Sequence, residues 1–148
     1  MTTIPINPTL VSHKYDQMLL GYRALFVYGT LKSNFHNHNF ITQGDSIFVS
    51  EATSVDKLVL YNCHSLPYVR YPLEGETGNH IKGELYGVKD LSLIDHLEGA
   101  PTHYHQRRQF FKLDNEEHEL MAIIYHESHI MSRDVEELTE WTYGRVED

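Results

Sequence analysis

Apolar, β-favouring runs alternate along this chain with polar stretches rich in turn residues. Leu25-Phe26-Val27-Tyr28 is one such run, and Gly29 stops it, which predicts a short buried strand entering a turn. Ile47 to Val49 and Leu58 to Tyr61 predict two further strand segments. Residues 32–40 are polar, with asparagine and histidine predominating, and read as a loop; Pro67 to Gly78, with two prolines and two glycines, reads as a long one. Ile81 to Val88 is expected to be a strand in which Gly83 and Gly87 mark a bulge or a close backbone approach. Residues 107–113 and 119–125 are β-favouring on either side of the polar stretch Asp114 to His118, the pattern of a hairpin.

Helical signals are fewer. Asp90 to Gly99 predicts a helix, with Asp90 as N-cap, Gly99 suited to the left-handed residue that follows, and Pro101 preventing continuation. A final helix is expected from Asp134 to about Tyr143, with Asp134 as its N-cap, and a short helical turn around Tyr15 to Leu20. Strands dominate, so the expected class is α+β: a small mixed β-sheet closing toward a barrel, flanked by short helices. A chain of 148 residues without repeats or a linker favours one domain. Its expected divisions are an irregular extension over 1–22, the main domain over 23–130, and a C-terminal helix or tail over 131–148, packed on the domain or extending from it.

Charge and cysteine content narrow the function. A net charge of −9 removes the electrostatic attraction on which nucleic-acid affinity depends, and weakens binding to anionic membranes. The expected partner is a small molecule, with neither nucleic acid nor membrane. Cys63 is the one cysteine, so no internal disulfide forms, which fits a reducing cytoplasm. No apolar run approaches the ~20 residues that span a bilayer, and Met1 to Leu10 has no signal-peptide pattern. Oligomeric state is not readable from the sequence.

Two features carry chemistry. At roughly 100° per residue, Leu91, Ile94 and Leu97 form the apolar face of the helix at 90–99, and Glu98 projects with them. Desolvation and the electronegative helix C-terminus both raise a carboxyl pKa, as general acid–base work near neutral pH requires. The competing reading is a half-exposed glutamate ending a helix. The second feature is the strand end at Tyr28-Gly29-Thr30-Leu31, where successive amides can turn the same way and bind a carboxylate or oxyanion. The competing reading there is an ordinary strand-end turn.

Taken in order, these residues resemble the gamma-glutamylcyclotransferase-like family. Tyr28-Gly29-Thr30-Leu31 is similar to its Tyr-Gly-Thr/Ser-Leu signature. Lys32 with Asn37-His38 resembles the Lys-x-Gly-x-x-Asn-His extension of the gamma-glutamylamine cyclotransferase branch. Gly83-Glu84-Leu85-Tyr86-Gly87-Val88 is similar to a Gly-Glu-x-Tyr-x-Val strand, and Asp95-x-x-Glu98-x-x-Pro101-x-x-Tyr104 to the segment carrying the catalytic glutamate. The likeness runs from about residue 24 to 127. Asn34 stands where the branch has glycine, and Arg107 comes one place later than the arginine of its Tyr-x-Arg pattern. Either a bulge restores that arginine's face or Gln106 takes its place.

The resemblance implies a cyclotransferase acting on a gamma-glutamyl amine or peptide. The substrate's α-amine attacks its own γ-carbonyl, giving 5-oxoproline and a free amine. Glu98 is the implied acid–base residue; Tyr28, Gly29, Thr30, Leu31 and Tyr104 are the implied substrate-binding residues. No cofactor and no metal are called for. A non-catalytic relative that binds a small ligand or a protein in the same pocket is the alternative. A third reading is a metal-dependent barrel enzyme built on the His-x-His pairs His36/His38 and His103/His105. The better reading makes those histidines loop residues, with His38 supporting its own loop.

Overall fold

The computed structural model describes residues 20–33, 35, 38, 41, 45–92, 94–95, 104–114, 116–127 and 129–143. Six strands make one sheet: β1 (Arg23–Val27), β2 (Ser46–Cys63), β3 (Leu66–Arg70), β4 (Asn79–Val88), β5 (Tyr104–Leu113) and β6 (Glu119–Glu127). Their order is β3-β2-β4-β1-β6-β5, and β2 also pairs with β5. That last pairing closes β2, β4, β1, β6 and β5 into a five-stranded barrel, leaving β3 on the far end of β2. All pairings are antiparallel except β1 with β6, so the barrel is mixed, as expected.

The two strand segments expected within 47–61 are one 18-residue strand. Its register against β4 shifts between Phe48 and Ser50 and again between Thr53 and Lys57. Such irregularities bend a strand, and bending lets β2 serve β4, β5 and β3 in turn. The loop expected from Pro67 begins later, because Pro67 to Arg70 pair with β2 as part of β3. Pro67 sits opposite Asn62 near the start of that edge strand, a position where a missing N–H is tolerated.

Alternation along the strands separates two apolar layers. Phe26, Leu58, Leu60, Val69, Ile81, Leu85, Phe111, Leu113 and Ile124 belong to the barrel core, where the Phe26 and Phe111 rings stack at 4.1 Å. Leu25, Val27, Tyr86, Val88, Ile123 and Tyr125 form a second layer with Leu91 and Ile94. Gly83 is needed where β4 crosses β1, since an added Cβ would lie 2.3 Å from the Val27 carbonyl oxygen and 2.5 Å from the Phe26 ring. That is the close approach read from the sequence.

The flanking short helices are not seen among the described residues beyond the helical residue Ile41 and one turn after β4. Ser92, Ile94 and Asp95 are helical, the Asp95 N–H donates to the Leu91 carbonyl at 2.7 Å, and Asp90 caps the turn by accepting from the Ser92 N–H at 2.9 Å. The helix expected over 134–143 is absent. Asp134 has a left-handed φ of 54°, which an N-cap does not adopt. The backbone there bonds to the sheet instead: Leu138 N–H to the Leu60 carbonyl at 2.8 Å, and Lys82 N–H to the Thr139 carbonyl at 2.9 Å. Trp141, only 1% exposed, joins the barrel core. The turn expected at Tyr15 to Leu20 lies outside the described residues except for Leu20.

A buried ionic group ties β3 to β6 and to the final segment. Arg70 pairs with Glu76, the second of two contacts measuring 2.9 Å, and donates to the Ser132 carbonyl at 3.0 Å. The Arg70 guanidinium holds the Glu76 carboxyl down at about 2, aided by the Leu73 N–H. Glu127 accepts from the Tyr61 hydroxyl at 2.6 Å and lies 3.4 Å from Arg70 Nε; burial nevertheless raises its pKa.

His126 follows Ala122 and Ile124 along the inward side of β6 and is 2% exposed. The Gln109 amide lies 3.2 Å from its Nε2. Burial, with Arg107 and His105 nearby, pushes the imidazole down to about 3 from 6.5. An unfolded chain takes up the proton that the folded one refuses, so this contribution to stability is complete above the unfolded pKa and falls with falling pH. Glu76 acts in the same direction only below its unfolded value of 4.5. The raised Glu127 carboxyl acts the opposite way, so the His126 contribution is read by difference: in urea denaturation as a function of pH, stability should change less favourably from pH 6.5 to 4.5 in wild type than in His126→Gln.

Candidate functional site

Where β1 ends, the chain turns at Gly29 and the Lys32 N–H donates back to the Gly29 carbonyl at 3.1 Å. Further turns follow from Lys32 to Phe35, Phe35 to His38 and His38 to Ile41. Side chains hold this loop from three directions. The Ser33 N–H and hydroxyl donate to the two oxygens of Glu84 at 2.8 and 2.5 Å, and the Tyr86 hydroxyl donates to Glu84 at 3.0 Å. The buried Lys32 amine donates to the Trp141 carbonyl at 2.8 Å. His38 Nδ1 lies 2.8 Å from the Leu31 carbonyl.

The loop forms one wall of a cleft of about 130 Å³, lined by Phe26, Val27, Tyr28, Gly29, Thr30, Leu31, Leu66, Pro67, Tyr104 and Tyr125. Five residues singled out from the sequence, Tyr28, Gly29, Thr30, Leu31 and Tyr104, thus meet at one place. The tyrosine hydroxyls are anchors: Tyr28 donates to the Tyr125 carbonyl at 2.7 Å, and Tyr104 to the Pro67 carbonyl at 3.0 Å. Behind Tyr104 the rings of Tyr68 and Tyr61 continue a stack, at 5.6 and then 5.7 Å.

Glu98 lies outside the described residues, as do Gly99 and Pro101. Asp95, three residues earlier, sits beside the cleft. It accepts hydrogen bonds from the Tyr125 hydroxyl and from Gln106 Nε2, the latter at 2.6 Å, while Leu91 and Ile94 are buried beneath it. The register of β5 on β6 runs unbroken from Tyr104 opposite Glu127 to Lys112 opposite Glu119. No bulge intervenes, so Gln106 shares a face with Tyr104, and Arg107 turns away, 5.9 Å from the Tyr71 ring. Gln106 therefore occupies the place expected for the arginine.

Tyr125, Leu66 and Pro67 were missed in the sequence. Strand alternation put Tyr125 on an apolar face without saying which neighbour it meets. Pro67 opened what read as a loop, and Leu66 lay just before it, between the segments read as strand and loop. His36 and His103, one member of each His-x-His pair, lie outside the described residues.

A second cleft, of about 290 Å³, is lined by Glu51, Glu84, Asp114 and Glu140 against Lys32 and Lys82. Its excess of carboxylates disfavours an anionic ligand. The smaller cleft has no charged side chain among its described lining residues. Its described lining is mostly aromatic and apolar, with the Gly29 turn on one wall.

A closed small barrel with a loop-walled cleft at the end of its first strand defines a class of small-molecule sites. Residues 25–143 match the family described as gamma-glutamyl cyclotransferase, AIG2-like, and the chain belongs to that family. It is an enzyme of the gamma-glutamylcyclotransferase kind. A relative in Methanocaldococcus jannaschii, named as a candidate gamma-glutamylcyclotransferase, is 36% identical over 107 residues, covering 70% of this chain and 85% of its own length. Gamma-glutamylaminecyclotransferase of Rattus norvegicus is 33% identical over 87 residues, 54% of this chain and 57% of that protein. The crystal structure of an AIG2-like protein from Mus musculus shares the fold with a TM-score of 0.74 at 20% identity, covering 82% of this chain and 88% of that one. No helix among the described residues is long and apolar enough to cross a membrane.

The loop depends on glycine at position 29 for a steric reason. An added Cβ would lie 2.6 Å from the Pro67 Cγ, inside van der Waals contact with a ring that cannot swing away. Gly29→Ala should cost about 1–3 kcal/mol. Pro67→Ala in the same chain removes the obstructing Cγ and should recover part of the loss in urea titrations of the single and double variants.

Proposed function

We propose that this protein converts a gamma-glutamyl amine or peptide to 5-oxoproline and a free amine, with Glu98 as acid–base residue. The observation that carries the reading is the cleft in which Tyr28, Gly29, Thr30, Leu31 and Tyr104 converge, in a chain of this family. The position of Asp95 supports it: Asp95 is fastened to Tyr125 on the cleft wall, and Glu98 follows it by three residues in the sequence.

In the proposed reaction the backbone of Gly29 to Leu31 receives the substrate's α-carboxylate or the developing oxyanion. Tyr28 and Tyr104 wall the glutamyl chain and hold it folded, so that α-nitrogen and γ-carbon meet, which is a proximity effect. A free amine of pKa about 8 is mostly protonated at neutral pH and cannot attack. Glu98 takes that proton, the nitrogen bonds to the γ-carbon, and the bond from that carbon to the departing nitrogen breaks. Glu98 returns that proton to the departing nitrogen, and the ring nitrogen's surplus proton is passed on by the same carboxylate, so that 5-oxoproline keeps one N–H and the amine leaves as its ammonium. Atoms and charge balance without a metal, a cofactor or water. A soluble cytoplasmic enzyme acting on a small molecule is part of the same reading.

Purified protein incubated with gamma-glutamyl-ε-lysine and gamma-glutamyl amino acids should release 5-oxoproline. Glu98→Gln should lower kcat about a hundred- to ten-thousandfold while substrate still binds. If no compound in the panel is turned over, and Glu98→Gln binds each as wild type does, the protein is a ligand-binding relative instead.

A further inference from the structure

We infer that the leaving-amine side of the cleft selects amines with an apolar, uncharged substituent, and that Leu66 is the residue that makes the selection. This rests on the cyclotransferase reading and adds the substrate class to it. Leu66 lines the cleft yet is 51% exposed, so a large apolar side chain stands at the mouth, half in water. Pro67 and Tyr104 continue the wall beside it, joined by the Tyr104 hydroxyl to the Pro67 carbonyl at 3.0 Å.

This wall is rigid. Leu66 begins β3 directly after a tight turn in which His64 and Ser65 both have left-handed φ, 54° and 68°, the geometry that matches the twist of a hairpin. The Ser65 N–H donates to the Asn62 side-chain oxygen at 2.8 Å, and Leu66 pairs with Cys63 across the turn. Pro67 is pinned by its approach to Gly29. Leu66 is therefore presented at a set position.

No described lining residue offers a charge to a cationic amine. The carboxylates on adjoining positions are already committed. Asp95 accepts from Tyr125 and Gln106, while Glu127, opposite Tyr104 in the ladder, accepts from Tyr61 and lies beside Arg70. An ammonium placed against Leu66 would meet no charged side chain among the described lining residues, whereas an alkyl group there covers apolar surface.

The test compares γ-glutamylbutylamide with the analogue that differs only by an ammonium at the far end of the butyl chain. Wild type should favour the uncharged compound about tenfold or more in kcat/KM. Leu66→Asp should bring the ratio close to one or reverse it, and Leu66→Thr, which suits a strand and adds no charge, should reduce it. A wild-type ratio near one or below, or a ratio unchanged in both variants, overturns the inference while leaving the reaction intact. If neither compound is turned over, calorimetric Kd values for the same pairs decide the selection by the same criteria, and it is the proposed reaction that falls.

Discussion

Barrel closure through β2 is the constraint on which the rest of the molecule depends. An 18-residue strand is far longer than a small barrel needs, and its irregularities let it pair with β4, then β5, then β3. Without the β2–β5 pairing the sheet would have two open edges and its core layer would lie exposed on one side. With it, Phe26 and Phe111 stack inside, and the end of β1 is directed toward β3 and β5. The cleft is a consequence of that closure, since its walls come from segments separated by up to nearly a hundred residues.

The protein handles charge by distance and pairing. Its described cleft lining is uncharged, while nearby carboxylates are held by hydrogen bonds, Asp95 from Tyr125 and Gln106, Glu84 from Ser33 and Tyr86, Glu127 from Tyr61 and Glu76 from Arg70. These carboxylates position backbone and aromatic groups rather than face the ligand. The second, larger cleft has the opposite character, with four carboxylates against two lysines.

The C-terminal segment is part of the working structure. It adds no helix, but Leu138 and Thr139 bond to β2 and β4, and the Trp141 carbonyl holds the amine of Lys32 next to the turn that follows β1. Failure of the helix expectation there has a plain cause. Asp134 looks like an N-cap in sequence, yet the backbone groups that follow find partners on the barrel, and tertiary hydrogen bonding outweighs a weak local preference.

Local chemistry alone determined much of this protein. Alternation and β-branched runs placed most strands, Asp90 capped its turn, and the Tyr28–Leu31 strand end and Gly83 were legible because glycine and strand termini have narrow physical uses. The Arg107 displacement left two arrangements open, and only the unbroken β5–β6 register chose Gln106, because strand pairing is a long-range property. Tertiary structure likewise decided that residues 47–61 form one strand, that Pro67 ends beside Gly29, and that Leu66 and Tyr125 join Tyr104 around one cleft. Short-range patterns specify which residues are buried or extended; which of them meet depends on how the closed sheet brings distant segments together.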